Sequence, residues 1–153
     1  MADLEIHDIP QQLKAGIKLV EHGALDKGRG HFEAYLQNHP DSALALSYVG
    51  MLRAVKAGMA AEGLDMCREA TRLDPGQALC FLNLSRVYLT LGDRYQCVRA
   101  LHKGLKLRSP YRDYLMGFYG TIGRRRNPPL RFLSRNHPIN NLLGKLSWKL
   151  GLK

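Results

Sequence analysis

Pro40, Pro75 and Pro110 stand 35 residues apart. A proline removes a helical hydrogen bond, clashes with the turn behind it and pushes the residue before it out of the helical region. Each of the three therefore closes one helical run and opens the next. The stretch from Ala78 to Pro110 shows the plan between them. Leu84, Val87, Tyr88 and Leu91 recur at spacings of three and four in its first half, and Cys97, Leu101, Gly104 and Leu105 in its second. Such spacings put each set on one helical face. Gly92 reads as a C-terminal stop and Asp93 suits the turn after it. Two antiparallel helices joined so tightly form an αα-hairpin, which cannot bury its apolar face alone. The expected fold class is all-α, a stack of antiparallel helix hairpins.

Small residues sharpen the pattern. Gly16 and Gly28, Gly50 and Gly63, and Ser85 and Cys97 take matching places in successive hairpins, where they let paired helices approach closely. The third unit offers Phe81, Leu84, Ser85 and Tyr88, then Cys97, Leu101, Gly104 and Ser109. The second offers Leu46, Val49, Gly50 and Arg53, then Gly63, Cys67, Ala70 and Pro75, with one extra residue near Gly58. The first offers Gln12, Ala15, Gly16 and Leu19, then Gly28, Phe32, Tyr35 and Pro40. This order resembles the tetratricopeptide repeat, W-x2-L-G-x2-Y, then A-x3-F, then A-x4-P, with a period of about 34 residues. Gln12 and Tyr35 depart from it, and Pro110 falls one place late. The resemblance covers residues 9–123, as three repeats and a capping helix; an unrelated helical bundle is the alternative.

The resemblance implies a right-handed α-α superhelix, a solenoid whose groove is lined by the first helix of each hairpin. The groove positions carried over are Leu13, Ile17 and Val20, then Ser47, Tyr48, Met51 and Val55, then Leu82, Asn83, Arg86 and Thr90. Each of these residues also suits plain packing between repeats. Some members of the family grip a terminal carboxylate with several Lys, Arg and Asn side chains. Lys14, Asn83 and Arg86 are the only candidates here, too few for that mode. A mostly apolar groove suits an amphipathic helix or an extended apolar peptide.

Helices are expected over Ile9 to Glu21, Leu25 to Asn38, Ala43 to Ala57 and Ala60 to Leu73, with Asp41 or Ser42 capping the third. Asp74-Pro75-Gly76-Gln77 reads as a capping box that opens the third hairpin. A last helix, Tyr111 to Ile122, has no second half, and its glycines make it dependent on docking. Residues 1–8 read as a short frayed leader.

Charge is distributed unevenly. All 13 acidic residues lie within 1–113, while 114–153 hold eight Lys or Arg and no acid. In this tail, Pro128-Pro129 excludes a continuous helix, and Pro138 opens an amphipathic one with Ile139, Leu142, Leu143, Leu146 and Leu150 on one face. The basic contacts expected are Arg124, Arg125, Arg126, Arg131 and Arg135, then Lys145 and Lys149. The tail admits several readings: a cover for the last repeat, an occupant of the groove, a helix on an anionic membrane surface, or an arm for a protein partner. Nucleic acid is disfavoured, since Phe132 is the only aromatic among the arginines.

No hydrolase, Walker, dinucleotide or zinc-protease motif is present, so the chain reads as a non-enzyme without metal or cofactor. Glu62, Asp65 and Glu69 with Arg68 and Arg72 read as a solvated face paired at i,i+4. Cys67, Cys80 and Cys97 fit apolar faces, as buried small residues in a reducing compartment. The acidic start is no signal peptide, and no apolar run is long enough to span a bilayer. The expectation is a cytoplasmic scaffold, an adaptor or chaperone, peripheral at the inner membrane face if the tail binds lipid. Some chaperones of secreted substrates are similar in length and carry three such repeats; the basic tail is no part of that likeness.

Overall fold

In the computed structural model the 35-residue period appears first in the turns. The carbonyls of His39, Asp74 and Ser109, each just before a proline, accept from the N–H groups of Ser42, Gln77 and Arg112 at 3.1, 3.3 and 3.3 Å. These are β-turns with proline at the second position, whose φ the ring presets. The structure describes residues 9–55 and 59–122. Among them lie seven helices and no strand: α1 (Gln11–Glu21), α2 (Leu25–Asn38), α3 (Ala43–Val55), α4 (Ala60–Leu73), α5 (Ala78–Thr90), α6 (Arg94–Lys106) and α7 (Arg112–Ile122).

The neighbours follow a repeating order. Helix α1 packs on α2, α3 on α4 and α5 on α6 as hairpins, while α2 meets α3, α4 meets α5, and α3 lies against α5. This is an all-α helical repeat. Where both bounds are described the helices begin and end close to expectation, the expected end of the third at Ala57 lying outside the described residues; three differences stand out. Helix α1 starts at Gln11 because Pro10, extended at ψ 139°, occupies its N-cap. Asp74 forms no capping box: its Oδ1 accepts from the Gly76 N–H at 2.9 Å, an Asx-turn that joins α4 to α5. Arg68 and Arg72 pair with Asp65 and Glu69 at i,i+3, while Glu62 reaches Arg53 on α3. The proposed leader, Gly58 and the tail lie outside the described residues.

Two hairpin turns close alike. Gly23 and Gly92 adopt φ of 78° and 76°. The next N–H groups, of Ala24 and Asp93, return to the Leu19 and Tyr88 carbonyls at 2.9 Å in both cases. This is the Schellman arrangement, in which a left-handed glycine satisfies the last helical carbonyls. Asp93 then caps α6, its Oδ1 accepting from the Gln96 N–H at 3.0 Å.

Close approach dominates the second hairpin. A Cβ built on Gly50 would stand 2.7 Å from the Gly63 carbonyl oxygen, and one on Gly63 would collide with the Gly50 oxygen and lie 2.8 Å from the Ala54 nitrogen. These obstacles are backbone, so no rotamer change relieves them. Phe32 of α2 stacks on Tyr48 of α3 at 4.6 Å between ring centroids and ties this hairpin to the one before. Leu115 anchors α7, fully buried, with its Cδ2 beside Gly104 of α6.

Gly63→Ala is expected to destabilise the fold by about 1–3 kcal/mol through overpacking. Gly30→Ala, on an open part of α2 with nothing within 4 Å, is expected to raise stability by roughly 1 kcal/mol through helix propensity. Thermal melts of both variants check the pair; a Gly63→Ala melt equal to wild type would contradict the close-packed seam.

Candidate functional site

The first helices of the hairpins carry a connected set of polar side chains. Ser47 of α3 is fully buried and donates to the Leu44 carbonyl at 2.8 Å. Its hydroxyl also accepts from Nδ2 of the buried Asn83 of α5, at 3.0 Å. The Asn83 Oδ1 in turn accepts from Nη1 of Arg86 at 3.5 Å. One turn of α5 thus connects an interior hydroxyl to a guanidinium at the surface.

Arg86 is half-buried and faces α7. Its Nη2 donates to the Tyr114 hydroxyl at 2.9 Å. Its guanidinium carbon lies 5.7 Å from the centre of the Tyr114 ring and 5.5 Å from that of Phe118. Both are cation–π distances, and the attraction grows as water is excluded. No carboxylate pairs with Arg86 among the described residues, unlike Arg29, Arg53, Arg68 and Arg72. The result is a cation held by aromatic rings and an amide oxygen, with no carboxylate of the described residues in an ion pair with it.

Tyr48 belongs to the same neighbourhood. Burial pushes its phenol above the ordinary tyrosine range, opposed by the positive charge of Arg86 and reinforced by Tyr114 and Glu21. One side chain from each of α1, α3, α5 and α7 therefore shares an electrostatic environment. The phenol stays protonated at neutral pH.

Of the expected groove residues, Leu13, Ile17, Ser47, Tyr48, Met51, Leu82 and Asn83 are buried. Val20 and Arg86 are half-buried, and Val55 and Thr90 are exposed. Lys14 is half-buried on α1, while Asn83 is committed to Ser47 and Arg86. The basic contacts from Arg124 to Lys149 lie outside the described residues. Tyr114 and Phe118 were absent from the expected set. Phe118 stands 35 residues after Asn83, as Asn83 stands after Tyr48, so it continues the repeat register into the last helix at a groove position.

A separate depression of about 380 Å3 opens near the first two X-Pro turns, lined by Ile9, Leu13, Tyr35, Asp41, Leu44 and Asp74 among others. Its Asp74 carboxylate already serves the Asx-turn. Among the described residues no cluster of His, Cys, Asp and Glu is arranged to hold a metal ion. No protein-family model matches this chain, and no curated protein matches it in sequence.

The three cysteines are buried and free. Burial raises all three thiols, with Cys80 pushed up to about 12. Unfolded thiols ionise near pH 9.0 and the Tyr48 phenol near 10.0. Because the folded state holds these protons more tightly, their contribution is fully present below pH 9.0. It is lost as pH rises above that value, where the unfolded chain binds fewer protons. Urea midpoints measured across that range are expected to fall progressively from about pH 9 upward. Serine in place of each cysteine is expected to flatten the onset; an unchanged pH profile would remove the thiols from this account.

Proposed function

We propose that the chain is a non-catalytic scaffold of tetratricopeptide type, an adaptor or chaperone. It holds a peptide or helical segment on the face formed by the first helix of each hairpin. The observation that carries this reading is Arg86, fixed by Tyr114, Phe118 and Asn83 without an acidic partner among the described residues. A half-buried charge that lacks a counter-ion favours one brought by another molecule, and its fixed geometry lowers the ordering cost of binding.

The partner segment that suits this face carries one carboxylate amid apolar side chains. The carboxylate would meet the Arg86 guanidinium, and apolar groups would cover Val20, Val55 and the edges of Tyr114 and Phe118. With a single cation in place, a clamp built from several Lys, Arg and Asn side chains is not part of the proposal. No helix among the described residues is long and apolar enough to cross a membrane, in keeping with a scaffold that meets partners from the aqueous side. A cytoplasmic site of action belongs to the same proposal.

Pull-downs from native lysate with the full chain and with Arg86→Glu test this. Partners of the groove should be lost from the variant, since reversing a charge that meets a carboxylate costs about 2–5 kcal/mol of binding. Circular dichroism should show the variant folded. A partner set identical for both baits would overturn the assignment.

A further inference from the structure

We propose that the outer face of α6 is a docking surface for an anionic lipid membrane. The inference goes beyond the groove reading and stands without it. Tyr95, Arg99, His102, Lys103 and Lys106 are all exposed, and at helical spacing they fall within an arc of about 100°. The opposite side, Cys97, Ala100, Leu101 and Gly104, is buried. Helix α6 therefore presents a polar face made only of cations, a histidine and one tyrosine.

The corresponding helices of the other hairpins differ. Helix α2 offsets Lys27 and Arg29 with Asp26 and Glu33, and α4 offsets Arg68 and Arg72 with Glu62, Asp65 and Glu69. Their arginines form ion pairs within the fold. Helix α6 has no acidic residue, and Arg99, Lys103 and Lys106 make no ion pair among the described residues. A face of like charges repels itself and gains most from a dense layer of opposite charge. Anionic headgroups supply that layer, at about fivefold in affinity for each cation near the surface.

Two observations favour lipid over nucleic acid. Tyr95 is 73% exposed at the head of the face, and Leu91, four residues earlier at the end of α5, is 44% exposed. An exposed ring with a polar tip suits the headgroup boundary. A nucleic-acid strand calls instead for several aromatics spaced to stack successive bases; α6 has one tyrosine on this face, and the Tyr119 ring of α7 is taken up by His102 at 5.6 Å. The sequence beyond α7 adds eight Lys or Arg and no acid, with Trp148 among apolar residues, a composition that also suits a membrane interface.

Co-sedimentation of the full chain with phosphatidylcholine vesicles, with and without phosphatidylserine, tests the proposal at low and high salt. Binding is expected only with phosphatidylserine, and weaker at high salt. The triple variant Arg99→Gln, Lys103→Gln, Lys106→Gln leaves the tail intact and should bind on the order of a hundredfold more weakly. The control Arg68→Gln, Arg72→Gln, on the ion-paired α4 face, should bind as wild type. Tyr95→Ser should bind severalfold more weakly while keeping its salt dependence. Three results would each overturn the assignment: wild-type binding by the triple variant, an equal loss in the control, or tighter binding to duplex DNA than to the anionic vesicles.

Discussion

The stack rests on how closely two helix backbones come together at Gly50 and Gly63. Each lacks a Cβ, and each would push one into the other's backbone. That contact pairs α3 with α4 closely, while Phe32 of α2 stacks on Tyr48 and α5 meets both helices. The first hairpin uses the same device in a softer form. At Gly16 the obstacles are the rings of His31 and Phe32, which are side chains and yield more readily than backbone. The third hairpin uses Ser85 and Cys97, both fully buried. A graded seam of this kind makes the central hairpin the least tolerant of added volume.

Polar groups cross the stack where apolar packing would otherwise allow slippage. The Asn83 to Ser47 hydrogen bond joins α5 to α3 in the interior, and the Cys67 thiol donates to the Ser47 carbonyl at 3.3 Å. Hydrogen bonds of this kind add about 1 kcal/mol each but cost more when left unmade, so they act mainly to specify register. At the surface end of the same chain of contacts, Arg86 is held by hydrogen bonds and ring contacts with no ion pair among the described residues. Core specification and a poised charge thus share residues, which ties the proposed recognition face to the fold that holds it.

Charge is uneven along the chain. The first two hairpins balance acids against bases through pairs such as Arg53 with Glu33 and Glu62, while α6 and the sequence after α7 do not. The groove proposal therefore rests on Arg86 of α5, and the membrane proposal on Arg99, Lys103 and Lys106 of α6. The two proposals use different residues and different physics, geometry in one case and long-range field in the other.

Much of the fold was legible before any coordinates. The proline period located the turns that begin at His39, Asp74 and Ser109, and the 3.6-residue periodicity set the helices of each hairpin, because both follow from local backbone sterics. Small residues at matching positions told where helices would touch. Burial was not legible in the same way. Leu13, Ser47 and Leu82 look like groove residues by position, yet they are buried, because a first helix meets neighbours on several sides and the sequence marks only its most apolar stripe. The Asp74 segment was misread since one carboxylate can cap a helix or close an Asx-turn, and the choice depends on where the preceding helix ends. By itself the sequence determined the all-α class, the repeat length and the uneven charge, all products of local chemistry. Only the tertiary structure decided that Arg86 would meet the rings of Tyr114 and Phe118 and pair with no acid among the described residues, because that depends on side chains brought together across 28 residues of chain.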